Sequence, residues 1–253
     1  MYDRRLSANW AARLRSPALF VAVALLAAGC RVASHAQNMQ GVSFYQQGRY
    51  QEAVQNFERA IANSPKNADG YYNLAATYHK LGLVSHNENE LKQAENLYNQ
   101  CLDRDENNRD CYRGLAVLLA EEGRSDEAFH LLEGWGAKYP SSSAPKVELA
   151  RLSEEFGRYD VAKSHLEDAL QSDPHDARAL AALARLKERS GNQGQALAVY
   201  QRSLWNNPNQ PEVAARISSL QNTLHPPSFT SNPDAPTAGA TRTVNTNPAP
   251  GRY

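Results

Sequence analysis

The stretch VELARLSEEFGRYDVAKSHLEDALQSDP, residues 147–174, holds two runs of helical apolar spacing divided by one glycine. Leu149, Leu152 and Phe156 share one face of a first helix. Gly157 can end that helix by adopting left-handed backbone, and Ala162, Leu166, Ala169 and Leu170 then face inward from a second helix. Two antiparallel helices result, and one such pair cannot bury both its faces alone.

The same pattern recurs on both sides of this unit. Gly48, Gly82, Gly123, Gly157 and Gly191 stand at intervals of 34, 41, 34 and 34 residues. A second column, Ala53, Ala94, Ala128, Ala162 and Ala196, follows the glycines, with Phe57, Tyr98, Leu132, Leu166 and Tyr200 beyond it. Small residues also recur in the first helices, at Gly41, Ala75, Ala116, Ala150 and Ala184, where they let the paired axes approach closely. Pro65, Pro140, Pro174 and Pro208 close four of the five units, and Glu106 holds that slot in the second.

These columns resemble the tetratricopeptide repeat, a helix-turn-helix unit of about 34 residues. The resemblance implies an all-α fold, a right-handed α-solenoid of five repeats whose stability is a sum of repeat and neighbour terms. The units run over residues 34–67, 68–108, 109–142, 143–176 and 177–210, and residues 211–224 are expected to form a C-terminal capping helix, with Ile217 repeating Leu183. Gly82 and Ala94 are twelve apart where the other units have five, so the second unit carries seven extra residues. They are expected to lengthen both helices around a turn at Ser85–Asn89.

The amino terminus carries the compartment signal. Arg4, Arg5, Arg13 and Arg15 precede an uncharged, mainly apolar run from Ala18 to Gly29, which is too short to span a bilayer, and Cys30 follows at once. Leu26-Ala27-Ala28-Gly29-Cys30 resembles a bacterial lipobox, although Leu26 stands one place earlier than in the commonest pattern. The resemblance implies a signal peptide over residues 1–29, lipidation of Cys30, and a short tether over residues 30–33. Several acyl chains on one residue would hold the body to a membrane surface without a spanning helix. Arg31, in place of an Asp, favours the outer membrane facing the periplasm. The final segment, residues 225–253, is rich in Pro, Thr and Asn and too poor in apolar groups to form a core, so it is expected to be disordered.

Composition excludes more than it names. The chain has 27 basic and 27 acidic side chains, and removal of residues 1–29 leaves 23 against 26. That balance does not describe a nucleic-acid binder. No Walker A sequence, nucleophile elbow or dinucleotide fingerprint occurs, so neither an enzymatic activity nor a cofactor is expected. His79 and His86 lie near Glu88 and Glu90 without metal-ligand spacing, so no metal site is expected. Cys101 and Cys111 are ten apart across a connecting turn, within reach of a disulfide. Two separate buried thiols are the preferred reading, because a disulfide demands a short, directed separation. Trp135, between Gly134 and Gly136, stands in the small-residue column of a second helix, and a locally distorted helix around a buried or half-buried indole is expected there.

What remains is binding. In repeats of this kind the exposed face of the first helices lines a concave groove for an extended peptide or a helix. Carried onto this sequence, that face supplies Tyr45, Tyr72, His79, Arg113, Arg151, Glu154, Arg178, Arg185 and Arg189. Its first half is aromatic and its second half is rich in arginine, which points to an acidic or carboxylate-bearing segment of an envelope protein. Solvated helix positions paired at i,i+4 are the bland alternative. The carboxylate clamp of chaperone-tail-binding repeats would need Lys, Asn and Arg in successive first helices. Asn73 matches one place, but Val42, Asp110 and Gly114 occupy the others. The expected role is a membrane-tethered scaffold or assembly factor for pilus, secretion or cell-wall machinery. The alternative is a non-catalytic repeat region like that of a peptide-modifying glycosyltransferase, working with a separate enzyme.

Overall fold

Four of the five glycines expected to end a first helix carry the backbone geometry that role requires. Gly48, Gly123, Gly157 and Gly191 have φ of 74°, 78°, 70° and 81°, the left-handed geometry that costs glycine no Cβ clash. The computed structural model describes residues 33–224. They form α1 (33–46), α2 (Tyr50–Asn63), α3 (Ala68–Ser85), α4 (Glu88–Arg104), α5 (Arg109–Glu121) and α6 (Ser125–Lys138). Beyond these come α7 (Ala144–Glu155), α8 (Tyr159–Ser172), α9 (Ala177–Arg189), α10 (Gln193–Asn206) and α11 (Pro211–Leu224). No strand occurs among the described residues. The proposed signal peptide, Cys30 and the residue 225–253 tail lie outside them.

These helices form one stacked array. Odd-numbered helices make the inner layer, where α3 touches α5, α5 touches α7 and α7 touches α9, while even-numbered helices back them. The alanine column of the even helices is fully buried at Ala53, Ala94, Ala128, Ala162 and Ala196, and so are Ala75, Ala116, Ala150 and Ala184 opposite. Phe57, Tyr98, Leu132, Leu166 and Tyr200 fill the next layer. Val213, Ile217 and Leu220 of α11 cover the last pair, packing with Ala196 and Tyr200. At the opposite end, Ser34 donates to the Ala60 carbonyl at 2.9 Å and Asn63 donates to Gln37 at 2.7 Å, tying α1 to α2.

The inner helices α3, α5 and α9 start on side-chain caps, as does the outer helix α4 on Asn87, whereas α7 has none. Asn67, Asn108 and Asp176 each accept a backbone N–H from the first turn that follows. The outer helices α2, α6, α8 and α10 start without a side-chain cap, directly after the turn glycines.

Four features depart from the sequence reading. Gly82 is not a turn residue. It lies inside α3, where an added Cβ would stand 2.6 Å from Leu91 Cδ2, and the left-handed turn has moved to His86, with φ of 52°. The turn is only His86 and Asn87, because α3 runs to 18 residues and α4 to 17, against 12 to 14 in the other helices from α2 onward. The insertion therefore goes almost wholly into helix and raises the α3–α4 hairpin above the stack.

Cys101 and Cys111 are joined in a disulfide, with Cα atoms 6.3 Å apart, where separate thiols were the preferred reading. The turn between α4 and α5 brings the end of one helix back beside the start of the next, which supplies the separation that the sequence alone left undecided. Around Trp135 the helix is continuous. Its indole is buried, stacked on Tyr112 with ring centres 4.4 Å apart, and donates to Asn107 at 2.8 Å. These contacts hold α6 in place of the propensity that Gly134 and Gly136 forfeit, about 1 kcal/mol each relative to Ala. Phe156, assigned to the inner face, is exposed at the end of α7 and packs on Phe129, with Arg158 above both rings.

Candidate functional site: an arginine-lined groove

Repeat register turns the same face of each inner helix toward one concave wall. Arg113 of α5, Arg151 of α7 and Arg178 and Arg185 of α9 come together there, around a cavity of about 720 Å³ whose far wall is Pro211, Val213 and Arg216 of α11. Five arginines line it, against Glu148, Glu188 and Glu212. Each of these arginines also has a carboxylate partner within this chain.

At its floor lies Glu148, only 1% exposed. Arg113 donates to both of its oxygens, from Nε at 3.0 Å and Nη2 at 2.8 Å. Arg151 Nε adds a third bond at 3.1 Å, and Arg178 Nη1 stands 3.9 Å away. Burial alone would push the Glu148 carboxyl up. The hydrogen bonds and charges of Arg113 and Arg151 outweigh burial and hold it below its ordinary value. In turn its bonds to Glu148 raise the Arg113 guanidinium above its ordinary value. One carboxylate thus gathers a guanidinium from each of three consecutive units.

The outer members are paired as well. Arg151 reaches Glu155, and Arg178 Nη2 stands 3.3 Å from Asp176. Arg185 meets Glu154 at 3.0 Å, and Arg216 Nε donates to Glu188 at 2.8 Å. Asp176 caps α9 and accepts from Ser143 at 2.6 Å. Burial would raise its carboxyl, but that hydroxyl, the Arg178 charge and the cap N–H groups hold it below its ordinary value. Two donors are left over: Arg151 Nη2 and Arg178 Nη1 are buried and have no hydrogen-bond partner among the described residues. Buried N–H groups of this kind cost free energy until an acceptor reaches them.

Of the residues the sequence assigned to the groove, Arg113, Arg151, Arg178 and Arg185 line this cavity, and Glu154 holds Arg185 from its edge. Arg189 stands at the rim, with its guanidinium 4.1 Å above the Tyr159 ring of α8. His79 is buried, bonded to Glu121 at 2.8 Å and edge-on to Tyr98, beside a second cavity of about 470 Å³ under the raised hairpin. Tyr45 and Tyr72 are half-buried on the inner helices α1 and α3, upstream of the arginines. Sequence reasoning missed Glu148 and Arg216. The available signal was a glutamate flanked by Val147, Leu149 and Ala150, a poor place for a solvated charge. Among the described residues no group of three His, Cys, Asp or Glu side chains could hold a metal ion, and no helix is long and apolar enough to cross a membrane.

Family models now settle the lineage. Residues 41–82 match a model described as TPR repeat, and residues 87–152 and 154–220 match one described as tetratricopeptide repeat. The chain belongs to the tetratricopeptide-repeat family. A thermophilic TPR protein of Thermus thermophilus is similar in structure at 25% identity and a TM-score of 0.54, over 74% of this chain and 98% of that one. PilF of Pseudomonas aeruginosa is similar at 21% identity and a TM-score of 0.48, over 79% of this chain and 95% of that one. PilW, a type IV pilus biogenesis factor, is similar at 18% identity and 0.49, over 76% and 86%. No curated protein matches the chain in sequence.

Proposed function

We propose that this chain is a non-catalytic interaction scaffold of the bacterial envelope, anchored through lipid on Cys30, whose concave groove holds an extended acidic segment of a partner protein. The observation that carries the binding reading is the cavity itself. Five arginines drawn from α5, α7, α9 and α11 converge on one concave wall, and two of their buried N–H groups lack an acceptor among the described residues. Each arginine is also held by a carboxylate of this chain, so an acidic partner segment would share these guanidinium groups with Glu154, Glu155, Asp176 and Glu188.

The envelope reading is supported by the basic, apolar and lipobox succession ahead of α1, together with the Cys101–Cys111 disulfide, since such bonds persist in oxidising compartments and are rare in the cytosol. An outer-membrane position facing the periplasm is the placement that Arg31 favours. A role in pilus, secretion or cell-wall assembly is the process in which such a tethered scaffold would serve.

Two experiments test this reading. Cys30→Ala should move the protein from the membrane to the soluble fraction, and an intact amino terminus in the unsubstituted protein would refute anchoring. Crosslinking in intact cells should capture a protein partner through the groove. The pair Arg151→Glu and Arg185→Glu should weaken that capture and flatten its salt dependence while helicity is kept. Unchanged capture by the double variant would remove the groove from the account.

A further inference from the structure

The first half of the concave wall differs from the arginine cavity in a way that defines a second seat. Tyr72 stands one unit before Arg113 at the same repeat position, and Tyr45 holds the place that Glu154 and Glu188 take in later units. Both therefore belong to the same wall. Behind them Tyr98 projects from α4, its ring 6.2 Å from Tyr72 and 2% exposed. That approach depends on Gly114, where a Cβ would come within 2.4 Å of Tyr98 Cε1. Tyr45 is braced edge-on by Tyr50, with ring centres 5.4 Å apart.

Tyr72 and Tyr98 thus lie side by side, with Tyr45 on the same wall, and none of the three hydroxyls makes a hydrogen bond among the described residues. Tyr71 and Tyr200, by contrast, donate to the Pro65 carbonyl and to Glu188. Desolvation raises Tyr45, Tyr72 and Tyr98 above the ordinary phenol value, so they remain protonated donors. A ring face beside an O–H donor suits a ligand that offers apolar rings together with unsatisfied carbonyls. A polyproline II segment offers both, since its backbone makes no internal hydrogen bonds and its rings stack on aromatic side chains.

We propose that the groove recognises a bipartite segment of its partner, a proline-containing stretch on Tyr45 and Tyr72 joined to an acidic stretch on Arg151 and Arg178. This rests on the groove reading above and specifies its ligand. Neighbouring inner helices lie about 8–10 Å apart, so the arginines of α7 and α9, two and three helices beyond α3, are about 20–30 Å from Tyr72. An extended chain rising about 3.3 Å per residue covers that distance in roughly six to nine residues. The occupant is therefore an extended segment of another protein that carries both halves at that spacing.

The test uses three fluorescein-labelled peptides: a proline tract, a glutamate tract, and the two joined by a Gly-Ser spacer of about six residues. Their binding to the full chain is read by fluorescence anisotropy. The joined peptide should bind at least about ten-fold more tightly than the glutamate tract, because the second contact becomes intramolecular. The pair Tyr45→Phe and Tyr72→Phe keeps both rings and removes both hydroxyls. It should lose most of that ten-fold gain and leave glutamate-tract binding unchanged, while Arg151→Glu with Arg178→Glu should abolish glutamate-tract binding. Circular dichroism melts of each variant confirm folding. A joined peptide that binds no better than the glutamate tract would overturn the tyrosine seat and leave the arginine groove standing. Failure of every peptide, the glutamate tract included, would overturn both readings.

Discussion

Arg113 and Glu148, 35 residues apart in the chain and on neighbouring inner helices, meet through two hydrogen bonds of 2.8 and 3.0 Å. The bonds join two parallel N–H groups on one edge of a guanidinium to both oxygens of a buried carboxylate, a bidentate pairing that is among the strong ones. Arg151, one turn along α7, and Arg178 of α9 close on the same carboxylate. Glu148 therefore fixes the spacing of three units as well as the charge of the groove floor.

Removing that carboxylate should cost stability. Glu148→Ala leaves partly buried guanidinium donors without their acceptor, at about 1–3 kcal/mol. Glu148→Gln keeps the shape and should cost less. Both are read as shifts in the denaturant midpoint, and no shift in either variant would show that the arginines re-pair freely with neighbouring carboxylates.

The pH dependence has a defined sign. The Glu148 carboxyl is held below its ordinary value of 4.5 in the folded state, and Asp176 below 3.8. Between the folded and unfolded values the unfolded chain binds more protons, so stability falls as pH falls. The contribution is fully present above about pH 5 and is lost as pH drops through the folded values. Acid titration followed by circular dichroism should show Glu148→Gln with a shallower loss below pH 5 than the parent, and an unchanged profile would refute the assignment.

The Cys101–Cys111 bond closes a short loop, which on chain-entropy grounds contributes roughly 2–3 kcal/mol. Both sulfurs are buried, so the folded protein should resist reduction and become reducible only on unfolding. Melting with and without a thiol reductant, together with alkylation in guanidinium, tests both points. Modification of these cysteines in the unfolded, unreduced protein would show that the bond does not form.

The repeat columns made the fold legible, because alanines and glycines at a constant interval record where two helices touch and where one ends. Residues such as Ala128 and Gly157 hold the same roles in space as in the sequence. Gly82 misled because a glycine in the right column can serve close packing, here against Leu91, as well as a turn. The disulfide turned on where two Cα atoms lie, which ten residues of separation do not specify. Within the groove, arginines were visible one at a time. Glu148 was not, since a single carboxylate amid apolar neighbours becomes meaningful only when three units fold their guanidinium groups around it.

The raised α3–α4 hairpin should be dispensable for folding. Deleting Leu83–Asn89 joins Gly82 to Glu90 and restores the five-residue step from glycine to Ala94 found in the other units. Gly82 would then take the left-handed turn that His86 makes in the parent. The shortened chain should melt cooperatively with its helicity nearly intact. A broad or absent transition would show that the hairpin is core to the second unit.

Two glycines inside helices should respond to alanine with opposite signs. A Cβ on Gly134 meets no atom within 4 Å, so Gly134→Ala should stabilise α6 by about 1 kcal/mol through helix propensity alone. A Cβ on Gly114 would fall 2.4 Å from Tyr98 Cε1 and 2.6 Å from Cζ, in a ring that is almost fully buried. The ring cannot retreat, so overpacking of about 1–3 kcal/mol should outweigh the propensity gain, and Gly114→Ala should destabilise. Shortening the obstacle reverses the sign: in a Tyr98→Leu background, Gly114→Ala should become neutral or stabilising. The four proteins of that cycle, compared by urea denaturation, isolate the Gly114–Tyr98 contact. An equal effect of Gly114→Ala in both backgrounds would show that the glycine is not there to admit the tyrosine.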